Sequence, residues 1–314
     1  MRTYFVVLSL VFSAFGLAQN TVKPLSESLA DFINVRDFTV FKNEAYFTAQ
    51  DVLEQRTMMV KAHFIEGQWR DFERVPISGR YRDIEPFLSP DGLRLYFASN
   101  RPVTGNQVSA HYDIWYLHRA QLDSPWSAPI HLPGPVNTEA NEFYPAVTAN
   151  NNLYFTSDRD KAQRQDDIYI SDWVDGQYQP VRALSDNINS PGYEFNAYVA
   201  ADESFLIYTV YGAEDGLGSG DLYISYRQAD GDFGPRVNLG PRINSNKMDY
   251  CPYYDASRQR LIWTSRRSAI GDAELSDVDT FIKATQQYEN GLSRLYQSPF
   301  KVNVPTAQSN PQQP

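Results

Sequence analysis

The sequence of 314 residues has almost no cysteine and no long apolar segment beyond its first residues. Cys251 is the single cysteine, so an intramolecular disulfide is excluded and packing alone must hold the fold. After the apolar run from Tyr4 to Phe15, no segment approaches the roughly 20 apolar residues that a membrane helix needs. We therefore expect no membrane span, and a chain of this length can bury a core sufficient for folding.

Basic residues are also scarce relative to acidic ones. The chain has 28 Lys and Arg against 38 Asp and Glu, a net charge of −10. This balance argues against nucleic acid or an anionic membrane as a partner. No Gly-x-Ser-x-Gly elbow and no phosphate-binding loop occurs. We expect no metal site either, because metal-ligand spacing is absent among the four histidines, His63, His111, His118 and His131.

The first 18 residues are organised like a secretory signal peptide. Arg2 precedes the apolar run, and Gly16 and Ala18 supply small residues at positions −3 and −1 before Gln19. We predict cleavage near Ala18 and a periplasmic or secreted protein. Residues 19–29 are expected to be a linker, and the Pro-, Gln- and Asn-rich residues 301–314 a disordered tail.

The chain repeats itself. Residues 84–101, which read IEPFLSPDGLRLYFASNR, return in altered form at 143–159 and more weakly at 197–209 and 252–267. The strand-forming residues alternate with breaks rich in Gly, Pro, Asp and Asn. A period of about 50 residues built from short strands is typical of a β-propeller, in which each repeat forms one four-stranded blade.

The predicted fold class is therefore all-β: a β-propeller of four-stranded antiparallel blades, with five blades favoured and six as the alternative. We expect a single propeller domain over residues 30–300. Ring closure should come from contacts between residues 25–40 and the last unit. The third strand is expected at 113–117, 167–171, 221–225 and 279–283, and the last fourth strand at 291–296. The five units are expected near residues 30–77, 78–135, 136–188, 189–243 and 244–300.

The repeat has a recognisable consensus. Pro-x-Leu-Ser-Pro-Asp-Gly at 86–92, followed by Leu-Tyr-Phe-x-Ser-x-Arg and Asp-Ile-Tyr or Asp-Ile-Trp, resembles the TolB-like, WD-like β-propeller repeat. The resemblance covers roughly residues 30–300, and the Pro-Asp-Gly turn occurs only once. The family's type protein carries a separate N-terminal α/β domain in addition to its propeller, and since there is no room for one here, we expect a stand-alone propeller. The resemblance implies binding of a protein, peptide or glycan.

Three arginines recur with the repeat, each followed by an aspartate. The pairs are Arg101 with Asp113, Arg159 with Asp167, and Arg267 with Asp279. They could form a binding surface, but we favour an ion pair joining the second strand to the third inside each blade. The reason is that the pattern follows the repeat.

Four units each have an acidic residue three positions before the proline or alanine of the inner strand. Because inner strands line the central channel, these acids could ring its mouth and bind a cation, a sugar or a basic peptide. The alternative is that each accepts backbone N–H groups from the adjacent Asn-containing linker. We take them as the candidate ligand-binding residues, with Asp37 as a possible fifth: Asp83, Glu142, Glu194 and Asp249.

One cofactor is considered. Residues 212–222 end in a segment that resembles a single copy of a Gly-x-Gly-x-Asp calcium repeat. Such sites need stacked neighbours, so we favour a flexible loop and expect no cofactor, with Ca²⁺ as the alternative.

Two functions remain open. The first is a monomeric, non-enzymatic binding module for an envelope or secreted protein, a peptide or a glycan at the channel mouth. The second is a glycoside hydrolase that uses paired channel carboxylates. Glu85 is the one acid on an inner strand that breaks the repeat, and for a hydrolase it would act with Asp83, Glu142, Glu194 or Asp249.

Overall fold

The computed structural model describes residues 22–160, 165–270 and 275–304. The predicted signal peptide, residues 1–18, and most of the predicted tail lie outside these ranges. Within them the chain forms five four-stranded antiparallel sheets, so the predicted five-bladed β-propeller is confirmed. None of the helices in the described ranges is long and apolar enough to cross a membrane.

The first four blades are contiguous stretches of chain whose strands follow one another from the axis outward. The strands, in chain order, are β1 (Lys23–Pro24), β2 (Asn34–Phe41), β3 (Glu44–Gln50), β4 (Thr57–Ile65), β5 (Gln68–Arg74), β6 (Asp83–Leu88), β7 (Arg94–Ser99), β8 (Asp113–His118), β9 (Ile130–His131), β10 (Glu142–Val147), β11 (Leu153–Ser157), β12 (Asp167–Ser171), β13 (Trp173–Val174), β14 (Gln177–Tyr178), β15 (Arg182–Ala183), β16 (Tyr193–Val199), β17 (Phe205–Tyr211), β18 (Gly220–Tyr226), β19 (Val237–Asn238), β20 (Asp249–Asp255), β21 (Arg260–Ser265) and β22 (Arg294–Pro299).

The inner strands close into a ring. β2, β6, β10, β16 and β20 each contact the inner strand of the next blade, and β20 contacts β2. The core lies between the blades, where rings from neighbouring sheets meet edge to face, as Tyr46 meets Trp126 and Tyr154 meets Phe233. The five inner strands therefore surround a channel whose two mouths lie at opposite ends of the strands.

Blade five is completed by the N-terminus. β1 pairs antiparallel with β22, so residues 23–24, which fall within the segment expected to be a linker, supply the outermost strand of the last blade. The Leu25 N–H donates to the Leu295 carbonyl at 2.9 Å and extends this pairing. A 3₁₀ helix, Glu27–Asp31, then leads into blade one.

Two strand predictions in blade five were wrong. The segment 279–283 lies in α1 (Val278–Gln286), because Asp277 caps a helix there and accepts a hydrogen bond from the Thr280 N–H at 2.8 Å. The second half of the segment 291–296, predicted as the fourth strand, lies in β22, which is the third strand of the blade. The sequence Asp-Thr-Phe-Ile-Lys resembles a third strand in composition, but the preceding cap favours a helix.

Each inner strand contains an irregularity at the same place. The register shifts once in each inner pair, and one residue there has a φ angle between 45° and 59°. Positive φ is uncommon for residues with side chains and costs on the order of 1–3 kcal/mol. We call these the bulge residues: Asp37, Glu85, Tyr144, Asn196 and Cys251.

Candidate functional site at the channel mouth

The four predicted ligand-binding acids are fully buried at the starts of their inner strands. Each forms an ion pair with an arginine inside its own blade. The pairs are Asp83–Arg101 at 2.5 Å, Glu142–Arg159 at 3.0 Å, Glu194–Arg236 at 3.1 Å and Asp249–Arg267 at 3.1 Å. The recurring arginines therefore bind the acid of the first strand, and the predicted pairing with the aspartate of the third strand was wrong.

Three of these carboxylates also hold the linker between blades. Glu142 accepts hydrogen bonds from the Thr138 N–H at 3.1 Å and the Thr138 hydroxyl at 2.7 Å. Serines make the equivalent contacts in the next two blades, Ser190 to Glu194 and Ser245 to Asp249. These contacts match the architectural alternative considered for the acids, and a ligand-binding role for them stays a prediction.

Burial controls the protonation of the first two acids. It raises the pKa of Asp83 and of Glu142, while the ion pairs with Arg101 and Arg159 oppose that rise. Asp83 Oδ1 and both oxygens of Glu142 accept hydrogen bonds from protein groups, and Asp83 Oδ2 is buried without a partner among the described residues.

A different set of groups meets at the axis. The Arg36 Nε donates to Asp37 Oδ1 at 2.7 Å, and Arg36 Nη2 donates to Glu85 Oε1 at 2.7 Å. Nη2 also lies 3.4 Å from the sulfur of Cys251, which in turn lies 3.4 Å from Asn196 Oδ1. Asp37 is thus the counterpart of Glu85 at the bulge, and it is not a fifth member of the buried acid set.

Glu85 is held from several directions. Its Oε2 accepts from the Tyr144 N–H at 2.7 Å, and its own N–H donates to Asp37 Oδ2 at 3.1 Å. Burial raises the pKa of Glu85 to about 7, with Asp37 adding to the rise and Arg36 opposing it. Glu85 is therefore the carboxylate at the axis that changes charge near neutral pH.

An open cavity of about 410 Å³ lies above this network at one mouth of the channel. Arg36, Glu85 and Asn196 form its polar part, and Arg82 and Arg266 also line it. Aromatic side chains supply much of the remaining wall: Tyr112, Phe143, Phe195 and Tyr250. We call this space the mouth cavity.

The Tyr112 hydroxyl is notable within the mouth cavity. It is buried, and no hydrogen-bond partner for it occurs among the described residues. The ring is fixed by Phe143 at 5.3 Å and by the Arg82 guanidinium at 5.6 Å from its centroid. A buried hydroxyl without a partner costs free energy, and a ligand that reached this oxygen by displacing the side chains around it would recover that cost.

Sequence reasoning selected Glu85 but missed Arg36, Tyr112 and Asn196. A signal was present in four blades, because Glu85, Tyr144, Asn196 and Cys251 each precede the proline or alanine of the repeat, whereas Asp37 precedes Phe38. Arg36 was hidden by the weak repeat in blade one. Tyr112 comes from the loop before β8, whose length varies between units.

The glycine-rich loop proposed for calcium is organised by protein contacts. Asp221 Oδ2 accepts hydrogen bonds from the Leu217 and Gly218 N–H groups at 3.0 and 3.1 Å. A β-carbon on Gly218 would lie 1.7 Å from the Lys247 carbonyl oxygen, so only glycine fits. The described residues contain no group of three or more His, Cys, Asp or Glu side chains that could hold a metal. Calcium binding here stays an untested prediction.

No known family model matches the chain, and no curated protein matches its sequence. Solved structures do match. The catalytic domain of the Coprinopsis cinerea GH62 α-L-arabinofuranosidase has a TM-score of 0.51 at 10% identity, over 88% of this chain and 94% of that one. The Podospora anserina α-L-arabinofuranosidase PaAbf62A, in complex with cellotriose, has a TM-score of 0.50 at 11% identity over the same shares.

TolB from Acinetobacter baumannii also matches, with a TM-score of 0.48 and 14% identity over 84% of this chain. The match covers 54% of TolB, so this chain spans about half the length of that protein. At these identities the similarities concern the fold alone. The protein is a five-bladed β-propeller, with neighbours that include both hydrolases and TolB.

Proposed function

We propose that this protein is a glycan-binding module that holds an oligosaccharide in the mouth cavity. The observation that carries the proposal is the combination of aromatic walls with fixed hydrogen-bonding groups in one concave site. Ring faces suit the C–H faces of sugars, and a few placed polar groups give orientation. The Tyr112 hydroxyl is buried beside the cavity and lacks a partner among the described residues, and it becomes one such group when a ligand displaces the side chains that cover it.

The charge of the mouth cavity supports this choice of ligand. The Arg36 cation is balanced by Asp37 and Glu85, so the inner end of the cavity carries little net charge. Arg82 and Arg266 add positive charge to its lining, Asp166 adds negative charge, and Arg266 is paired with Glu54. A neutral ligand therefore fits these charges better than a strongly charged one does. If the signal-peptide prediction holds, binding takes place in the periplasm or outside the cell.

An array of neutral and uronic-acid oligosaccharides, read for binding and for new reducing ends, tests the proposal. We expect binding without cleavage, weakened roughly 2- to 10-fold by Tyr112→Phe, the worth of one neutral hydrogen bond. Tyr226→Phe, outside the mouth cavity, is the matched control. Absence of binding to every glycan, or unchanged affinity in Tyr112→Phe, would contradict the proposal.

A glycoside hydrolase is the second candidate, and the chemistry of Glu85 favours it. A carboxyl with a pKa of about 7 beside a second carboxylate is the arrangement that a general acid needs. Against it, Glu85 is 4% exposed and Asp37 is 1% exposed, and both bind Arg36. New reducing ends that disappear in Glu85→Gln, with an unchanged melting temperature, would establish the hydrolase.

A further inference from the structure

Two of the grooves between neighbouring blades follow a common plan, in which an arginine lies over an aromatic ring. At the end of the third strand, Arg119 lies over the ring of Trp126 at 4.4 Å, and Arg227 lies over Phe233 at 4.3 Å. Each arginine also reaches the preceding blade. Arg119 pairs with Glu44 at 2.9 Å, and Arg227 Nη2 donates to the Tyr154 hydroxyl at 2.8 Å.

Blade three breaks this plan. Arg119 and Arg227 stand six residues after the aspartate at the start of the repeat's third strand, Asp113 and Asp221, and the same position in blade three is Trp173. Trp173 pairs with Tyr178 across the β13–β14 hairpin, and their rings meet edge to face at 4.7 Å. Asp175 and Gly176 form the turn with φ angles of 51° and 82°, the geometry of a tight hairpin. The hairpin thus holds the tryptophan ring in place.

The groove between blades two and three is consequently aromatic. Its other wall holds Tyr96 and Tyr116, with centroids 5.7 Å apart and planes 31° from parallel. The space between the walls is about 470 Å³, also lined by Arg94 and Gln177. The groove between blades one and two, about 390 Å³, also has two aromatic residues, Tyr46 and Trp126, but charged side chains such as Lys61, Glu73 and Arg119 line it beside them.

We infer that the groove between blades two and three is a second saccharide site, separate from the mouth cavity. Trp173 and Tyr116 are partly exposed and supply ring faces on which a sugar can pack. Arg94 donates to Asn151 Oδ1 at 3.2 Å and keeps further N–H groups for hydroxyls or a carboxylate. Gln177 is exposed at the hairpin and adds an amide. The volume of the groove lies within the range of small-ligand sites.

The decisive variant is Trp173→Arg, which gives blade three the residue that blades two and four carry at this position. On the same oligosaccharide array, we expect at least one bound glycan to lose about tenfold in affinity, since an aromatic anchor is removed. That glycan should keep its affinity in Tyr112→Phe. Gln177→Ala changes only an exposed side chain and should weaken the same glycan, which keeps the test decisive if Trp173→Arg fails to fold.

The outcomes separate the two sites. If every bound glycan were weakened by Tyr112→Phe and none by Trp173→Arg or Gln177→Ala, the mouth cavity would remain a site and the groove would be overturned. If every bound glycan were weakened only by the groove variants, the groove would be supported and the mouth cavity contradicted. A wild-type protein that binds no oligosaccharide would overturn both.

Discussion

The guanidinium of Arg36 in blade one donates to the Glu85 carboxylate of blade two at 2.7 Å, on the axis of the propeller. This ion pair joins two inner strands that are 49 residues apart in sequence. It forms one part of the mouth cavity and links Asp37 to Glu85 through a single cation. Stability and protonation at the axis are therefore coupled to the site where we expect a ligand.

Arg36→Ala should strongly destabilise the protein. The substitution leaves Asp37 and Glu85 buried without their cation, and breaking a buried ion pair costs about 3–5 kcal/mol. Urea denaturation measures the change in the free energy of unfolding. Arg70→Ala is the control, since its partner Glu66 and Arg70 itself are exposed, and it should cost less than about 1 kcal/mol. Equal effects of the two variants would contradict this description of the axis.

Stability should depend on pH through Glu85. Its pKa is raised from 4.5 to about 7 in the folded protein, so the native state binds more protons than the unfolded state between these values. The free energy of unfolding should therefore fall as pH rises through that window. Glu85→Gln cannot titrate, so the stability of wild type relative to this variant should decrease from pH 5 to pH 8. Parallel pH profiles would show that Glu85 does not titrate there.

The buried pairs of the blades should differ in strength. Arg101 is nearly inaccessible beside Asp83, whereas the Arg236 side chain beside Glu194 is 30% exposed. Arg101→Ala should lower the free energy of unfolding by about 3–5 kcal/mol. Arg236→Ala should lower it clearly less, because water can reach the Glu194 carboxylate once the Arg236 side chain is removed. Chemical denaturation of both variants provides the comparison. A larger loss for Arg236→Ala would reverse the expected order.

Closure of the ring through the N-terminus can be tested at Leu25. This side chain is 6% exposed and packs in the core beside the β1–β22 pair. Leu25→Ala should lower the free energy of unfolding by about 2–5 kcal/mol. Leu217→Ala, at a side chain that is 47% exposed, should stay within about 0.5 kcal/mol of wild type. A neutral Leu25→Ala would mean that this closure adds little to stability.

The sequence predicted the propeller and its blade number because the repeat encodes the inner strands and turns directly. It did not predict β1, since two residues of edge strand carry no pattern of their own. Nor did it predict the Arg236–Glu194 pair, because Arg236 follows a loop and substitutes in space for an arginine that blade four lacks in sequence. The mouth cavity depends on the bulge, a backbone feature that repeats while its side chains vary.

The most direct test of the central claim is a calorimetric titration of the tightest-binding oligosaccharide from the array into wild type and Tyr112→Phe. The hydroxyl has no partner among the described residues, so its loss should leave the melting temperature unchanged or slightly higher. We predict measurable binding to wild type, roughly 2- to 10-fold weaker binding to Tyr112→Phe, and no change in Tyr226→Phe. Equal affinities for all three proteins, or no binding by wild type, would contradict a glycan site at the mouth of this channel.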